Sequence, residues 1–174
     1  LAGGHSFDLQ ALDLLPVVDE VVTQLASTAQ AAGATLTLEA EAGLPPVMAD
    51  RPAIKQLLLN LLENSINHGG PDNRIAIQLV LQPNGVQCAI RDQGVGIEAR
   101  HLPWLTQPFY RAAQTSVPGS GLGLALVAEI LRRHQSELQI ESRHRSAVNP
   151  GGTAGTTVTF VLPAVGKAQD RLET

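Results

Sequence analysis

The chain has 174 residues, an apolar fraction of 44% and a formal net charge of −4 at pH 7, which together suit one domain with its own core. Aromatic residues make up only 3%, and this scarcity, with the negative charge, argues against nucleic acid or an anionic membrane as a direct partner. No apolar run approaches the roughly 20 residues of a membrane span. The single Cys88 excludes an internal disulfide and fits a reducing compartment such as the cytoplasm.

The first half of the chain predicts two helices and two strands. An apolar stripe over residues 16–32 predicts a helix, and period-two alternation over residues 35–40 predicts a strand. A connector with a short strand at Val47–Met48 follows. Asp50 is then the expected cap of a second helix, which ends at His68.

The second half predicts a hairpin, a third helix and two further strands. The hairpin strands, residues 74–82 and 86–92, flank an Asn84-Gly85 turn signal. The later elements are a helix at about 122–134 and strands at 137–142 and 156–163. Paired strands interleaved with helices predict an α+β fold, a two-layer sandwich with three main helices packed on one face of a mixed sheet.

A long segment without a secondary-structure pattern interrupts the second half. Residues 97–118 show no sustained period and contain Pro103, Pro108 and Pro118. Loops of this length in a compact domain are usually functional lids or disordered. We therefore predict a lid whose mobility depends on a ligand.

An asparagine stripe lies on the polar side of the second predicted helix. Asn60, Asn64 and Asn67 are spaced i, i+4 and i+7, so their amides share one face, although asparagine is a poor helix former. One interpretation is a solvated face. The other is that these uncharged oxygens coordinate a hard cation and approach phosphate without the repulsion of a fixed negative charge.

Asp92 ends the second hairpin strand, in the stretch DQGVGI. Counting back by two gives Ile90, Cys88 and Val86, so the carboxylate points to the core side, where an isolated charge is costly. One interpretation is an ordinary polar turn of aspartate and glycine. The other, which the strand phase favours, is a ligand site in which the carboxylate accepts a hydrogen bond from a ligand amine.

The stretch GSGLGL, residues 119–124, precedes the third predicted helix. Its free backbone N–H groups and the positive end of the helix dipole suit an anion. The stretch lacks the Lys-Ser/Thr ending of a Walker loop. A flexible hinge into the helix is the alternative interpretation.

Five motifs in this order resemble the catalytic, ATP-binding domain of bacterial sensor histidine kinases, in the GHKL superfamily with its Bergerat fold. DRPAIKQLLLNLLENSINHG resembles the N box, DQGVGI the first glycine box, QPFYR the F box, GSGLGL the second glycine box and GTTVTFVLP the closing strand. The resemblance spans about residues 7–163. It implies a linker over 1–15 from an upstream dimerisation and phosphoacceptor domain, the catalytic domain over 16–163 and a tail over 164–174.

The resemblance implies roles for individual residues in binding Mg-ATP. Asp92 would accept from the adenine amine, with Thr156 assisting. Asn64, with Asn60, would hold Mg²⁺, and Arg111 would lie near the phosphates as the third catalytic residue. Phe109 would pack the lid over the nucleotide. The implied nucleotide-binding residues are Asn64, Asn67, His68, Asp92, Gly94, Gly96, Ile97, Phe109, Gly119, Gly121, Leu122, Gly123, Leu124 and Thr156.

Two departures from the family pattern are present. Family N boxes often carry Lys and Tyr where this chain has Asn67 and His68. A phosphate-directed cation is thus missing, and His68 either faces adenine in place of the aromatic or is an exposed helix-end histidine. No histidine stands in the phosphoacceptor pattern of His, an acidic residue and then Pro or Thr. That histidine is therefore expected upstream, in a homodimer that serves a cognate response regulator and is either wholly cytoplasmic or the cytoplasmic part of a membrane-anchored sensor.

Two other functions stay open on the sequence alone. A GHKL hydrolase, such as a chaperone or topoisomerase ATPase, places a water-activating Glu where this chain has Asn60, and an amide cannot take a proton. A degenerate nucleotide-binding module without kinase activity is supported only by the missing lysine. The intact Asn64, Asp92 and glycine boxes favour an ATP-dependent protein-histidine kinase.

Overall fold

The computed structural model describes residues 7–112, 120–145 and 153–166, and these form two layers. The helices are α1 (Leu14–Ala31), α2 (Arg51–His68) and α3 (Gly123–Arg133), with a 3-10 helix at Ala99–Trp104. The strands are β1 (Gln10–Leu12), β2 (Thr35–Ala40), β3 (Val47–Ala49), β4 (Arg74–Gln82), β5 (Gly85–Asp92), β6 (Gln139–Arg143) and β7 (Gly155–Pro163). Every predicted helix and strand is present, with boundaries shifted by no more than two residues.

Five of the strands form a mixed sheet in the order β2-β4-β5-β7-β6. β2 runs parallel to β4, with α2 in the connection between them, and the other pairs are antiparallel. The β4–β5 hairpin is confirmed, but Gln82 pairs with Gly85, so the turn is Pro83-Asn84, one residue earlier than predicted. Gly85 instead begins the strand, and glycine is needed there because a Cβ would lie 2.0 Å from the Leu162 carbonyl oxygen.

The helices pack on one face of this sheet, as predicted. Strand β4 shows the alternation that makes this possible, since Ile75, Ile77 and Leu79 are buried whereas Gln78 is exposed. The inward strand side chains and the apolar stripes of α1, α2 and α3 form one continuous core. Among the described helices, none is long and apolar enough to cross a membrane.

A second, two-stranded sheet pairs β1 with β3 in antiparallel register. Next to it, Val47 forms a bridge with Ala164. The sequence did not predict β1, whose three residues fall in the predicted linker, and Ala164 falls in the predicted tail. The boundaries of the catalytic domain itself stay predictions.

A hydrogen-bonded node at Asp50 joins the start of α2 to the end of α3 and to the N-terminal segment. The Asp50 carboxylate accepts from the N–H groups of Ala53 at 2.9 Å and Asp8 at 2.8 Å. The Asp50 N–H donates to Nε2 of His134 at 3.0 Å, and Nδ1 of His134 donates to the Ile130 carbonyl at 2.7 Å. Because Nε2 accepts, the ring is neutral and carries its proton on Nδ1, and burial lowers the pKa of His134.

Strand β5 carries the only cysteine of the chain in the middle of the sheet. Val86, Cys88 and Ile90 are all buried, which confirms the predicted strand phase. Desolvation raises the pKa of the Cys88 thiol to about 12. The reactive thiolate is therefore not populated in the folded chain near neutral pH.

Candidate functional site

A cavity of about 220 Å³ lies between α2, the ends of β5 and β7, and the start of α3. Its walls are largely apolar and include Leu61, Ile97, Leu124, Ile140 and Val158. Its polar groups come from Asn64, Ser65, His68, Asp92, Arg111 and Thr156. An apolar cleft with a few convergent polar groups is the usual form of a small-molecule site.

Helix α2 presents two of its four predicted site residues to the cavity. Asn64 and His68 both line it, one helical turn apart on the same face. Asn67 is exposed and does not line it. Asn60 lies one turn before Asn64; its amide oxygen accepts from Gln56 at 3.4 Å, and its amide nitrogen is buried without a hydrogen-bond partner among the described residues.

The surroundings of His68 disfavour a positive charge on its ring. Partial desolvation lowers the pKa of His68, and the charge of nearby Arg111 lowers it further, against the attraction of Asp92. A neutral imidazole beside apolar walls can pack flat against a planar ligand. His68 is also exposed at the end of α2, so its position is compatible with both the predicted contact to adenine and the alternative of an exposed helix-end histidine.

Asp92 closes its own turn, as expected of a polar turn of aspartate and glycine. It also lines the cavity, as a ligand-binding carboxylate must. Its Oδ1 accepts from the N–H groups of Gly94 at 2.9 Å and Thr156 at 3.2 Å. Burial raises the pKa of Asp92. The two backbone hydrogen bonds, a hydrogen bond with Ser65 and the charge of His68 lower this pKa, but burial outweighs them. The protein therefore holds the carboxylate in one orientation through backbone donors that the strand pattern did not show.

The first glycine box serves close packing as well as the cavity. A Cβ on Gly94 would lie 2.6 Å from the Cα of Gly69, and one on Gly96 would lie 1.9 Å from the Arg143 carbonyl oxygen. Gly96 and the adjacent Ile97 line the cavity, whereas Gly94 does not. Glycine is thus required here by neighbouring backbone, in addition to any ligand.

The second glycine box enters α3 along the cavity. Gly121 has a φ of +72°, which favours glycine. Gly121, Gly123 and Leu124 line the cavity, while Leu122 does not and is 40% exposed. Gly119 lies outside the described residues.

The described part of the predicted lid, residues 97–112, includes the 3-10 helix and contributes Tyr110 to the cavity wall. Phe109 was expected to pack the lid, but its side chain is 74% exposed. Its N–H donates to the Gly121 carbonyl at 3.0 Å. This bond ties the predicted lid to the second glycine box. Residues 113–118 of the predicted lid lie outside the described residues.

Ser142 is a site residue that the motifs do not reveal. Its Oγ accepts from the Ile97 N–H at 2.8 Å and lies 2.8 Å from the Thr156 Oγ1. Strand phase was the available signal, because Ser142 alternates with Glu141 and shares the inward side of β6 with Ile140. Its partners are far away in sequence, so only the fold shows that it joins the glycine turn to β7.

Asn73 is a second residue that sequence reasoning missed. It is 2% exposed, its Nδ2 donates to the Ser65 carbonyl at 2.9 Å, and its Oδ1 accepts from the Gln93 N–H at 3.1 Å. Asn73 therefore ties the end of α2 to the turn that follows Asp92. The one available signal was Ser65, a polar residue on the apolar stripe of α2.

Comparison with protein families matches residues 49–166 to the family described as histidine kinase-, DNA gyrase B-, and HSP90-like ATPase. Among curated proteins, the non-motile and phage-resistance protein of Caulobacter vibrioides is 31% identical over 169 residues, which are 93% of this chain and 19% of that protein. The sensor histidine kinase YkoH of Bacillus subtilis is 31% identical over 160 residues, 90% of this chain and 33% of that protein. The chain thus spans only a fifth to a third of these relatives.

Among solved structures, the mycobacterial sensor histidine kinase MprB is similar to this chain with a TM-score of 0.75 and 26% identity. The match covers 89% of this chain and 98% of the MprB chain. The region matched by the family, residues 49–166, contains every helix and strand that lines the cavity. The family match therefore extends over the residues that line the cavity.

Proposed function

The chain belongs to the family of histidine kinase-, DNA gyrase B- and HSP90-like ATPases, and from this membership we propose that it binds Mg-ATP and transfers the γ-phosphoryl group to a histidine of an upstream domain. The observation that carries the proposal is the cavity, which brings together Asn64, Asp92, Gly123 and Thr156 from α2, β5, α3 and β7. Curated relatives include several proteins named sensor histidine kinases, which supports transfer to histidine over hydrolysis.

The end of the cavity at Asp92 is suited to adenine. The carboxylate accepts from two backbone donors, and its remaining acceptor capacity suits the exocyclic amine of the base. Thr156 lines the cavity beside it, and the apolar walls suit the faces of a purine. Neutral His68 would contact one of those faces, in the place where the family often has an aromatic residue.

The end of the cavity at the start of α3 is suited to phosphates. Free N–H groups and the helix dipole at Gly123 favour an anion, and Arg111 lines the same cavity. Both features act on charge rather than on the base. Together they would orient the triphosphate with its γ-phosphoryl group toward α2 and the lid.

The amides of Asn64 and Asn60 fit a hard cation between those phosphates. Mg²⁺ prefers oxygen ligands and takes several of them from phosphate and water, so one or two amide oxygens suffice. The Asn60 amide nitrogen, which has no hydrogen-bond partner in the described part of the chain, supports this assignment, because rotation of the amide offers either its oxygen to the ion or its N–H to a phosphate. When bound, the ion would neutralise charge that develops on the transferring group.

Transfer to histidine requires a second domain. No histidine of the chain stands in a phosphoacceptor pattern, so we assign the acceptor to an upstream dimerisation domain and the relay to a response regulator. Because Asn60 cannot act as a general base toward water, hydrolysis would be slow and the phosphoryl group would await the histidine. Since ATP is the proposed substrate, we also propose a cytoplasmic location for the domain.

Incubation with γ-labelled ATP tests the proposal. The chain alone should stay unlabelled and release phosphate very slowly, whereas adding the upstream helical domain of the full-length protein should give acid-labile phosphohistidine on that domain. Stoichiometric acid-labile label on the chain alone would contradict the assignment of the acceptor. Rapid phosphate release without transfer would support the hydrolase, and failure to bind Mg-ATP in calorimetry would support the degenerate module.

A further inference from the structure

A cluster of hydrogen-bonding groups lies behind the cavity wall at the junction of β6, β7 and the first glycine box. The Oγ of Ser142 lies 2.8 Å from Thr156 Oγ1, 2.8 Å from the Ile97 nitrogen and 3.1 Å from the Gly155 carbonyl oxygen. Thr156 lines the cavity, whereas Ser142 does not. Ser142 therefore acts on any ligand only through its neighbours.

Counting protons determines which way the hydroxyls point. A serine hydroxyl donates once and accepts twice. The Ile97 N–H can only donate and takes one lone pair of Ser142; the Gly155 carbonyl can only accept and takes the single Ser142 proton. All three contacts are then satisfied only if Thr156 donates its own proton to the second lone pair of Ser142.

This arrangement leaves Thr156 as an acceptor toward the cavity. Its single proton is directed at Ser142, so only lone pairs of Oγ1 face a ligand. Asp92 beside it is also an acceptor, and the two are joined by the bond from the Thr156 N–H to the Asp92 carboxylate at 3.2 Å. This wall of the cavity therefore rejects a ligand that presents an acceptor there.

We propose that Ser142 is a specificity-determining residue, which keeps the Thr156 hydroxyl an acceptor and so favours a 6-aminopurine over a 6-oxopurine nucleotide. The inference rests on the proposed nucleotide site. A buried site built to accept from a ligand N–H discriminates against an oxygen in its place, because two acceptors face each other without a proton. Ser142 itself is a positioning residue and contacts no part of the nucleotide.

The test compares the affinities for ATP and inosine triphosphate, measured by calorimetry in the same buffer. The wild-type chain should prefer ATP. In Ser142→Ala the freed Thr156 hydroxyl can rotate and donate to the 6-oxo group, so the preference for ATP should shrink about tenfold. Ser142→Thr, which keeps a hydroxyl, should retain the wild-type ratio.

The double variant Ser142→Ala/Thr156→Val separates this effect from loosening of the glycine turn through Ile97. With no hydroxyl left at position 156, Ser142→Ala should have no further effect, so the preference for ATP should be within about twofold of that in the single variant Thr156→Val. A preference clearly lower in the double variant than in Thr156→Val would show that the turn, and not the hydroxyl, is responsible, and would overturn the proposal.

An unchanged ratio in Ser142→Ala would also overturn it, because Ser142 would then donate to Thr156 rather than accept from it. If Ser142→Ala does not fold, Ser142→Cys keeps the volume with a weakly hydrogen-bonding thiol, and the same fall in the ratio is expected. Failure of the wild-type chain to bind ATP would instead refute the proposed function, so the two failures are distinguishable.

Discussion

The two ends of the cavity differ in how complete they are without a ligand. At the end proposed for the base, Asp92, Thr156 and Ser142 are joined by hydrogen bonds of 3.2 and 2.8 Å. At the end proposed for phosphate, the buried amide nitrogen of Asn60 has no partner in the described ranges, and Phe109 is exposed. A preformed network loses little freedom when a ligand binds, whereas an incomplete end gains its contacts from the ligand. We therefore expect the base end to set affinity and selectivity, and the phosphate end to set turnover.

Removing the Asn64 amide should have the largest effect, and it should fall on turnover. In Asn64→Ala the proposed Mg²⁺ ligand is lost, and because phosphoryl transfer depends on positioning and charge neutralisation, the rate of labelling the upstream histidine should fall by about 10²–10³-fold. Binding of nucleotide without metal should be nearly unchanged. The measurement is phosphohistidine formation beside calorimetry in excess chelator.

Glu63→Gln is the matched control, since Glu63 is the neighbouring residue on α2 and is exposed. It should leave both quantities unchanged. Full transfer activity in Asn64→Ala would refute the metal assignment and, with it, the contrast between the two ends of the cavity.

Changing the carboxylate of the base end should instead reduce affinity. In Asp92→Asn the carbonyl oxygen can still accept from Gly94 and Thr156, but an NH₂ group replaces an acceptor that would face the adenine amine. ATP binding should weaken by about 1.5–3 kcal/mol, or roughly tenfold to 150-fold. Circular dichroism should show an unchanged fold, and unchanged affinity in calorimetry would exclude Asp92 as the adenine acceptor.

Amide exchange should reveal where the ligand completes the site. Exchange in residues 97–118 should slow by roughly tenfold or more when Mg-ATP is added, because the predicted lid gains its contacts from the nucleotide. Residues 85–91 of β5, which are already paired on both sides, serve as the internal reference and should change less. Equal protection of residues 97–118 with and without nucleotide would argue against a lid.

The smallest effect concerns stability, away from the cavity. Burial lowers the pKa of His134 in the folded chain below the usual 6.5. Its contribution to stability is therefore complete above pH 6.5, and it is lost as the pH falls toward the folded value, since the unfolded chain takes up the proton first. The melting temperature should fall on acidification from pH 7 to 5.

His134→Gln should flatten this dependence only in part, because the lowered pKa of His68 acts in the same direction. His144→Gln, a change at an exposed histidine, should leave the slope of melting temperature against pH as in wild type. A slope identical in wild type and His134→Gln would show that the pKa of His134 is not lowered in the folded chain.

Local patterns predicted the fold because each was specified by nearby residues. Helix α2 begins and ends as expected, since Asp50 caps it through the Ala53 N–H. The hairpin turn lies one residue earlier than predicted, because Gly85 pairs with both β4 and β7 and so belongs to the strand, which the local Asn-Gly signal does not reveal. Strand β1 was missed because three residues carry too little periodicity to stand out.

The site was predictable where one helix face or one strand phase contained the information. Asn64 and Asp92 were found in this way and His68 through the family resemblance, and all three line the cavity. Ser142 and Asn73 were not, because their roles depend on bonds across β7 and to the turn after Asp92. Such pairings arise only when the sheet is assembled, and no motif in a single sequence marks them.

The reactivity of Cys88 can be used to measure the opening of the centre of the sheet. Thiol reagents need an exposed thiolate, and Cys88 is buried in β5 between β4 and β7 with its pKa raised to about 12. A thiol reagent can therefore label the native chain only after these strands separate, and the labelling rate measures how often they do so. Since the chain has no second cysteine, this measurement needs no engineered cysteine. A nucleotide that binds only the folded form lowers the labelling rate in proportion to the occupancy of the site. The labelling rate of Cys88 therefore also measures the affinity for the nucleotide.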